Sequence, residues 1–566
     1  MKVSARFKKI EEIKELFPKD FLVVGVGVTA FPRSGLAYLL PNYKILSLLE
    51  TSDLGAIRKK CEVVSVEKDL GGKFPEKYNT SGILEIKEVR DFLQGTVPCK
   101  LFLYKASTVT DRIVKDFSLK LLSAAGHIRK VFENKKEFRV DAVKAGLRIP
   151  KGATLLIKDL TDAKWEEFKE ELGDLPAQAG RLVFQLTDYT IGGGLGTFFI
   201  DNKEDLKEFR EFVERRGIHP LNNNKQVKGR GYSPSTAINR NSQGRVLEFV
   251  NVTERIEGRQ ASIAGCATFY GTVACVLQNQ IMDQPELAAL AGRSGVWLGQ
   301  DWHVRFSEKA QLLAEKQVKK WGEYIYKKGY KGIFGLDLIV TNEDEVYAIE
   351  CNSRYTGAFP VLTMAQLVNK EMPIDVWHLL EWFPTRNRDK LGVEYEMDID
   401  EVQKVYRQPK KGAFVLLHNL ERKFVTPTRT VKAGVYKTTF INRSSHRHGS
   451  LIQRSEPVVT RLTGSDVKSE TLPNQPARPI QRRLIQVEYL RPGFSLLDIK
   501  NEDEFILCDR VPTEEMVLKP AERMGRLIFN RRIVTDEGEL LDWTRGVIKA
   551  IYDKFELGVV SARAVS

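Results

Sequence analysis

Residues 332–359 read GIFGLDLIVTNEDEVYAIECNSRYTGAF. Two apolar runs, 336–340 and 346–352, flank the polar turn 342–345, which is the signature of a strand hairpin. Each run carries one carboxylate among apolar residues: Asp337 between Leu336 and Leu338, and Glu350 after Ala348 and Ile349. The turn length sets Asp337 roughly opposite Glu350, and Asn352, two residues on, shares the face of Glu350 because strand side chains alternate. Three oxygen ligands therefore converge. Charges inside apolar strands are seldom left unpaired, and carboxylate and amide oxygens suit Mg²⁺, a hard cation that shares them with nucleotide phosphates. Arg354 extends from the same side as a fixed positive charge for phosphate or carboxylate. The competing reading is an acidic hairpin edge kept soluble by its charge, but an edge does not need carboxylates within its apolar runs.

Upstream, the run 181–186 leads into IGGGLGT at 191–197 and then a second apolar run, 198–200. Glycines there let backbone N–H groups approach phosphate oxygens closely. No GK[ST] follows, so this is not a P-loop. In 249–262, FVNVTERIEGRQAS, an apolar strand runs into a short polar linker and resumes, a pattern that can offer backbone groups to a flat base. Between that stretch and the hairpin, 306–330 reads as a helix capped by Ser307, with Ala314, Val318, Trp321 and Ile325 on one stripe. Polar segments containing Gln278, Asn279, Gln280, Asp283 and Arg293, and then Gly299, Gln300, Asp301 and Trp302, lie near the metal-type strands and are candidate acceptor loops. Tyr355 and Thr356 are candidates for shaping a carboxylate pocket.

At the N-terminal end, short apolar runs at 21–29, 44–49 and 101–104 alternate with helical patterns, which argues for a small open α/β domain over 1–125. Gly25-Val26-Gly27 lacks the third glycine of a dinucleotide fingerprint. Helical patterns follow at 135–145 and 203–216, with an Asn/Gly-rich loop at 222–234. The next unit is expected over 126–385, with the glycine-rich stretch within 181–200 read as either a flexible hairpin or a phosphate lid. Residues 400–566 read as a β-rich basic domain with a polar loop at 442–483 and a final helix at 543–555.

The 566 residues are 42% hydrophobic and 29% charged, ordinary for a globular protein. The longest apolar run is too short to span a bilayer. The first 17 residues alternate charge and apolar groups and lack the features of a secretory signal, so the expected location is the cytoplasm, with no membrane association. Six cysteines without a CxxC pair indicate neither a zinc knuckle nor a disulfide framework. The net charge of +14 is local: residues 401–500 hold 19 Lys and Arg against 7 Asp and Glu. An acidic partner would fit that segment, as would a solvated basic face, and no stacking aromatics interleave the charges. The seven histidines form no HExxH pair, and there is no serine nucleophile elbow.

In this order, these residues resemble the ATP-grasp superfamily of ATP-dependent ligases, of the carboxylate–amine ligase type with a core like that of carbamoyl-phosphate synthase and biotin carboxylase. The resemblance covers roughly 1–365. It implies an α/β pre-ATP-grasp domain followed by a two-lobed ATP-grasp fold, with ATP and Mg²⁺ as cofactors; the β-rich C-terminal domain matches no motif of the family. By the same resemblance Lys135, ahead of Ala145-Gly146-Leu147-Arg148-Ile149-Pro150, is the first ATP lysine, and Gln185 stands where many members carry a second. Gly192, Gly193, Gly194, Gly196 and Thr197 match the lid loop. Glu254 and Ile256 match the hinge beside adenine, and Gln260 the ribose contact. Asp337, Glu350 and Asn352 match the Mg²⁺ ligands; Arg354 and Lys135 are the catalytic cations. Gln185 and Gln260 depart from the pattern, since an amide cannot neutralise phosphate. The implied reaction turns a small-molecule carboxylate into an acyl phosphate and joins it to an amine, releasing ADP and phosphate. The alternatives are a bicarbonate-using carboxylase or carbamoyl-phosphate-synthase-like enzyme, and a non-catalytic nucleotide-sensing or nucleic-acid-binding scaffold. A homodimer is compatible with all three.

Overall fold

The computed structural model describes residues 2–71, 74–75, 78–95, 98–172, 181–187, 196–215, 248–287, 295–383, 395–441, 484–514 and 516–560. The lid glycines 192–194, Arg293 and the loops 222–234 and 442–483 lie outside the described residues.

The N-terminal apolar runs form a parallel sheet from β1 (Leu22–Gly27), β2 (Tyr43–Ser47), β3 (Glu62–Ser65), β4 (Cys99–Leu103) and β5 (Lys120–Leu121), in the order β3-β2-β1-β4-β5. Every residue of β1 and β4 is buried, as expected for strands covered on both faces. The chain lays β2 and β3 on one side of β1 and β4 and β5 on the other. The order reverses between β1 and β4, and ligands gather beyond the carboxyl ends of strands at such a point.

Two short helices follow, α1 (Gly126–Glu133) and α2 (Lys135–Lys144). Asn134 caps α2 by accepting from the N–H groups of Lys136 and Glu137, which fixes Lys135 at the start of the helix. A small antiparallel sheet comes next, built from β6 (Gly152–Leu156), β7 (Leu182–Leu186), β8 (Thr197–Ile200) and β9 (Phe249–Glu254) in the order β6-β9-β7-β8. Helices α3 (Asp162–Leu172) and α4 (Lys203–Arg215) back it, and Trp165, Phe184 and Phe209 fill the core between them.

The large sheet begins with β10 (Arg259–Thr268), which pairs with the short β11 (Gly271–Ala274), and continues through β12 (Gln278–Met282), β13 (Trp297–Asp301), β14 (Gly332–Val340) and β15 (Val346–Asn352). Helix α5 (Glu308–Lys327), capped by Ser307, sets Ala314, Val318, Trp321 and Ile325 wholly inside. Beyond residue 400 the expected β-rich unit is present, but its strands extend this same sheet. β13 pairs with β16 (Ala413–His418), and β17 (Gly434–Ile441), β18 (Leu484–Arg491), β19 (Glu504–Cys508) and β20 (Arg523–Phe529) complete the order β15-β14-β10-β12-β13-β16-β20-β19-β17-β18. The helix α6 (Asp542–Phe555) closes the chain's second core.

The hairpin carries one irregularity that matters. Its register runs Val340↔Val346, Ile339↔Tyr347 and Leu338↔Ala348, then slips, so that Asp337 faces Glu350 rather than Ile349. Directly opposed residues share a face. Without this β-bulge, Glu350 would stand opposite Leu336, on the apolar side. Bulges re-aim side chains in this way beside functional sites.

No helix is long and apolar enough to cross a membrane among the described residues. All six cysteines are unbonded, and five are buried.

Candidate active site

A cleft of about 830 Å³ opens between the small sheet, the large sheet and the carboxyl end of β4. Lys135, Gln185, Gly196, Thr197, Glu254, Ile256, Gln260, Asp337, Glu350, Asn352 and Arg354 all line it.

On the floor, Asp337 and Glu350 are half-buried and face each other. Lys135 Nζ lies 3.1 Å from Glu350 Oε2. Gln185 Nε2 lies 3.4 Å from the same oxygen. Asp337 accepts from Gln280 Nε2 at 3.0 Å and Asn352 Nδ2 at 2.8 Å, both neutral donors. Burial and the Glu350 charge push the Asp337 carboxyl well above its ordinary range. Burial works against Glu350 too, but Lys135, a hydrogen bond with Asp337 and the Arg354 charge together hold that carboxyl low. The described residues include no group of three or more His, Cys, Asp or Glu that could hold a metal ion. The ligand set is two carboxylates and an amide, the number Mg²⁺ uses when phosphates and water complete its shell.

A second cluster stands at the end of α1. Glu133 meets Lys105 Nζ at 3.1 Å and Arg354 Nε at 3.0 Å, and Arg129 one helical turn back. Burial would raise the Glu133 carboxyl; Arg354, Lys105 and Arg129 together bring it down to about 2. Burial lowers the Lys105 ammonium, with Glu133 opposing the shift. Arg354 is fixed on three sides, its other nitrogens donating to Tyr104 Oη and Asn352 Oδ1, both at 2.7 Å. Lys105 and Glu133 were not among the residues singled out from sequence. The available signal was the position of Lys105, two residues past the end of β4 at the strand-order reversal.

At the hinge, the Glu254 carboxylate turns back to accept from the Lys151 N–H at 2.7 Å. The Glu254 carboxylate is thus engaged by the backbone, while Arg255 and Glu257 of the same segment also line the cleft. Asn251 ties the hinge strand to α2, its Nδ2 donating to the Lys135 carbonyl at 3.1 Å.

The acceptor candidates divide. Gln278, Gln280, Asp283 and Gln300 line the cleft, and they sit on or beside strands β12 and β13 rather than on surface loops. Asp301 is fully buried and accepts from the N–H groups of His303 and Ile533 at 2.7 and 2.8 Å, which makes it an anchor for the C-terminal segment. Trp302 belongs to the core. Asn279 is 1% exposed, and its amide donates to the Gln280 carbonyl. Thr356 lines the cleft. Tyr355 is instead buried, stacked on Phe359 with its centroid 5.2 Å from the Arg33 guanidinium.

Residues 224–358 match the model of the ATP-grasp domain. Among solved structures the chain is similar to a biotin carboxylase complex from Campylobacter jejuni, at 10% identity and TM-score 0.49, covering 94% of this chain and 97% of that one. It is also similar to N5-carboxyaminoimidazole ribonucleotide synthetase from Thermotoga maritima, at 13% identity and TM-score 0.42, covering 96% and 99%. A third is the D-alanine-D-alanine ligase from Coxiella burnetii, at 12% identity and TM-score 0.39, covering 68% and 97%. No curated protein matches the chain.

Proposed function

From the ATP-grasp domain that the chain carries, we propose an ADP-forming ligase that activates a substrate carboxylate with ATP and joins it to an amine. The observation that carries this reading is the charge layout of one cleft: a carboxylate pair with a single lysine on it, beside a carboxylate ringed by three cations.

The residues present fit Mg²⁺. Asp337 and Glu350 face each other with Lys135 as the one cation in direct contact among the described residues, and a divalent ion would relieve the repulsion that, with burial, holds the Asp337 carboxyl high. Asp337, Glu350 and Asn352 would hold it. When bound, Mg²⁺ polarises the phosphate oxygens of ATP and offsets charge as the γ-phosphoryl group moves.

Lys135 supplies positive charge for the phosphates from the N-terminus of α2, where backbone N–H groups also favour anions. The chain from Glu254 to Ile256 offers main-chain groups to the base. Arg354, already clamped by Tyr104 and Asn352, and Lys105 hold the substrate carboxylate where one of its oxygens can meet the γ-phosphorus. Little proton transfer is required of the protein. Orientation and charge offset carry most of the rate.

The test is ADP release by purified protein given Mg²⁺-ATP and pools of L-amino acids and short dicarboxylic acids. The reading expects release that depends on a carboxylate and rises further with an amine. Tight nucleotide binding with no turnover across both pools would sink it.

A further inference from the structure

Polar side chains on the large sheet do not stop at the carboxylate pair. Glu350, Asp337, Ser262 and Gln278 stand opposite one another in sequence across β15, β14, β10 and β12, and Gln280 stands opposite Gln300 on β13. Neighbouring strands lie about 4.8 Å apart, so the backbone of this row runs roughly 5 to 14 Å beyond Asp337. That is the reach of a second substrate meeting a group activated over the carboxylates.

The far end of the row is a wall of amides. Gln278 Nε2 and Gln300 Nε2 both donate to the Ser262 hydroxyl oxygen, at 2.6 and 2.9 Å. Ser262 thereby fixes both amide nitrogens and leaves both amide oxygens over. Each glutamine is only 3% exposed, yet among the described residues neither Gln278 Oε1 nor Gln300 Oε1 receives a hydrogen bond, and the Trp297 indole N–H has no acceptor. All four residues line the cleft. Buried carbonyl oxygens almost always have donors, so two of them on one wall call for a ligand with several N–H groups.

We propose that Gln278 and Gln300 form the subsite that seats a primary amine, the second substrate of the ligase; this rests on the reading above. Neutral amide oxygens suit the task. A carboxylate at this position would hold an ammonium as its ion pair and keep the nitrogen lone pair protonated, whereas amide oxygens accept N–H bonds without fixing the charge. In the joining step the amine lone pair forms the C–N bond at the acyl carbon. The acyl C–O bond to phosphate breaks with its electron pair, and the surplus proton passes from nitrogen to the departing phosphate.

The experiment separates the two half-reactions. Protein with Mg²⁺-ATP, the carboxylate pool and concentrated hydroxylamine yields an acyl hydroxamate, detected by its ferric colour, through a trap small enough to need no seat. Methylamine and the L-amino acids then serve as amine probes for amide formation. In Gln278→Met and Gln300→Met the amine concentration for half-maximal amide formation rises tenfold or more, while hydroxamate still forms, which shows that the variants fold. In Gln278→Glu the pH profile of amide formation moves upward, a change that a purely structural role would not cause. The subsite is overturned if the Met variants keep the wild-type amine dependence, or if wild-type protein makes hydroxamate but no amide with any probe. Absence of hydroxamate from wild-type protein removes the ligase reading, and the subsite with it.

Discussion

The two acidic clusters of the cleft use the same residue types and reach opposite electrostatic ends. Around Glu133, one carboxylate faces Lys105, Arg129 and Arg354, and the balance is positive. Around Asp337 and Glu350, two carboxylates face Lys135 and neutral amides, and the direct contacts leave the balance negative. The titrations follow: Glu133 is held at about 2 while Asp337 is pushed up. In a low-dielectric cleft, the count of immediate partners rather than the identity of the acid decides whether a site seeks a cation or an anion. Arg354 bonds to both clusters, reaching Glu133 through Nε and Asn352 through a terminal nitrogen, so the two ends are held at a fixed separation.

Substitutions on either side break this pairing differently. Glu350→Gln removes a metal-type carboxylate, and ADP release is expected to fall on the order of a thousandfold, equivalent to about 4 kcal/mol of barrier. Its thermal midpoint is expected to fall only slightly, because the ion pair with Lys135 is lost together with the repulsion from Asp337; a large drop would mean that the pair is a structural brace. Glu133→Gln is the mirror case. It leaves three cations facing one another in a mostly buried site, which costs about 3 kcal/mol of stability, read as a lower midpoint in denaturant. Unchanged stability there would show that solvent already screens the cluster.

The same cluster sets an acid limit. The Glu133 carboxyl is depressed in the folded chain, so its contribution is fully present above its ordinary value of 4.5 and is lost as pH falls from there toward about 2. Acid titration of wild-type protein should lose about 3 kcal/mol more than Glu133→Gln across that window. Parallel curves would contradict the assignment. The smallest effect is expected from Lys105→Met, which keeps the side-chain length and removes one cation. The Michaelis constant for the carboxylate substrate should rise about tenfold, on the order of 1.4 kcal/mol, with nucleotide affinity unchanged. Loss of nucleotide affinity instead would move Lys105 onto the phosphates.

Much of this architecture was legible in the chain because it rests on local rules. The parallel sheet was readable from its short apolar runs, α5 from its stripe and its capping serine, and the hairpin from carboxylates set inside apolar strands. The Glu133 cluster was not legible. Lys105 and Arg354 are 249 positions apart in the sequence, and neither has a partner of opposite charge that sequence spacing would suggest. Asp301 and Trp302 misled for a related reason: polar and aromatic residues at a strand end next to the site look like site residues until the C-terminal segment takes up the Asp301 carboxylate and the core encloses the Trp302 ring.

The sequence by itself determined which groups this protein has to work with and which stretches carry them, because side-chain alternation, capping and apolar run length are properties of neighbours along the chain. Only the tertiary structure decided that these groups form one cleft. The turn length placed Asp337 opposite Glu350, but the strands leave the turn one residue out of that register, and the bulge that restores it has no signal in the periodicity, since a one-residue slip depends on how β15 packs against β14. The charge balance of each cluster was likewise settled by packing, because it depends on which distant cations burial brings within about 4 Å of each carboxylate.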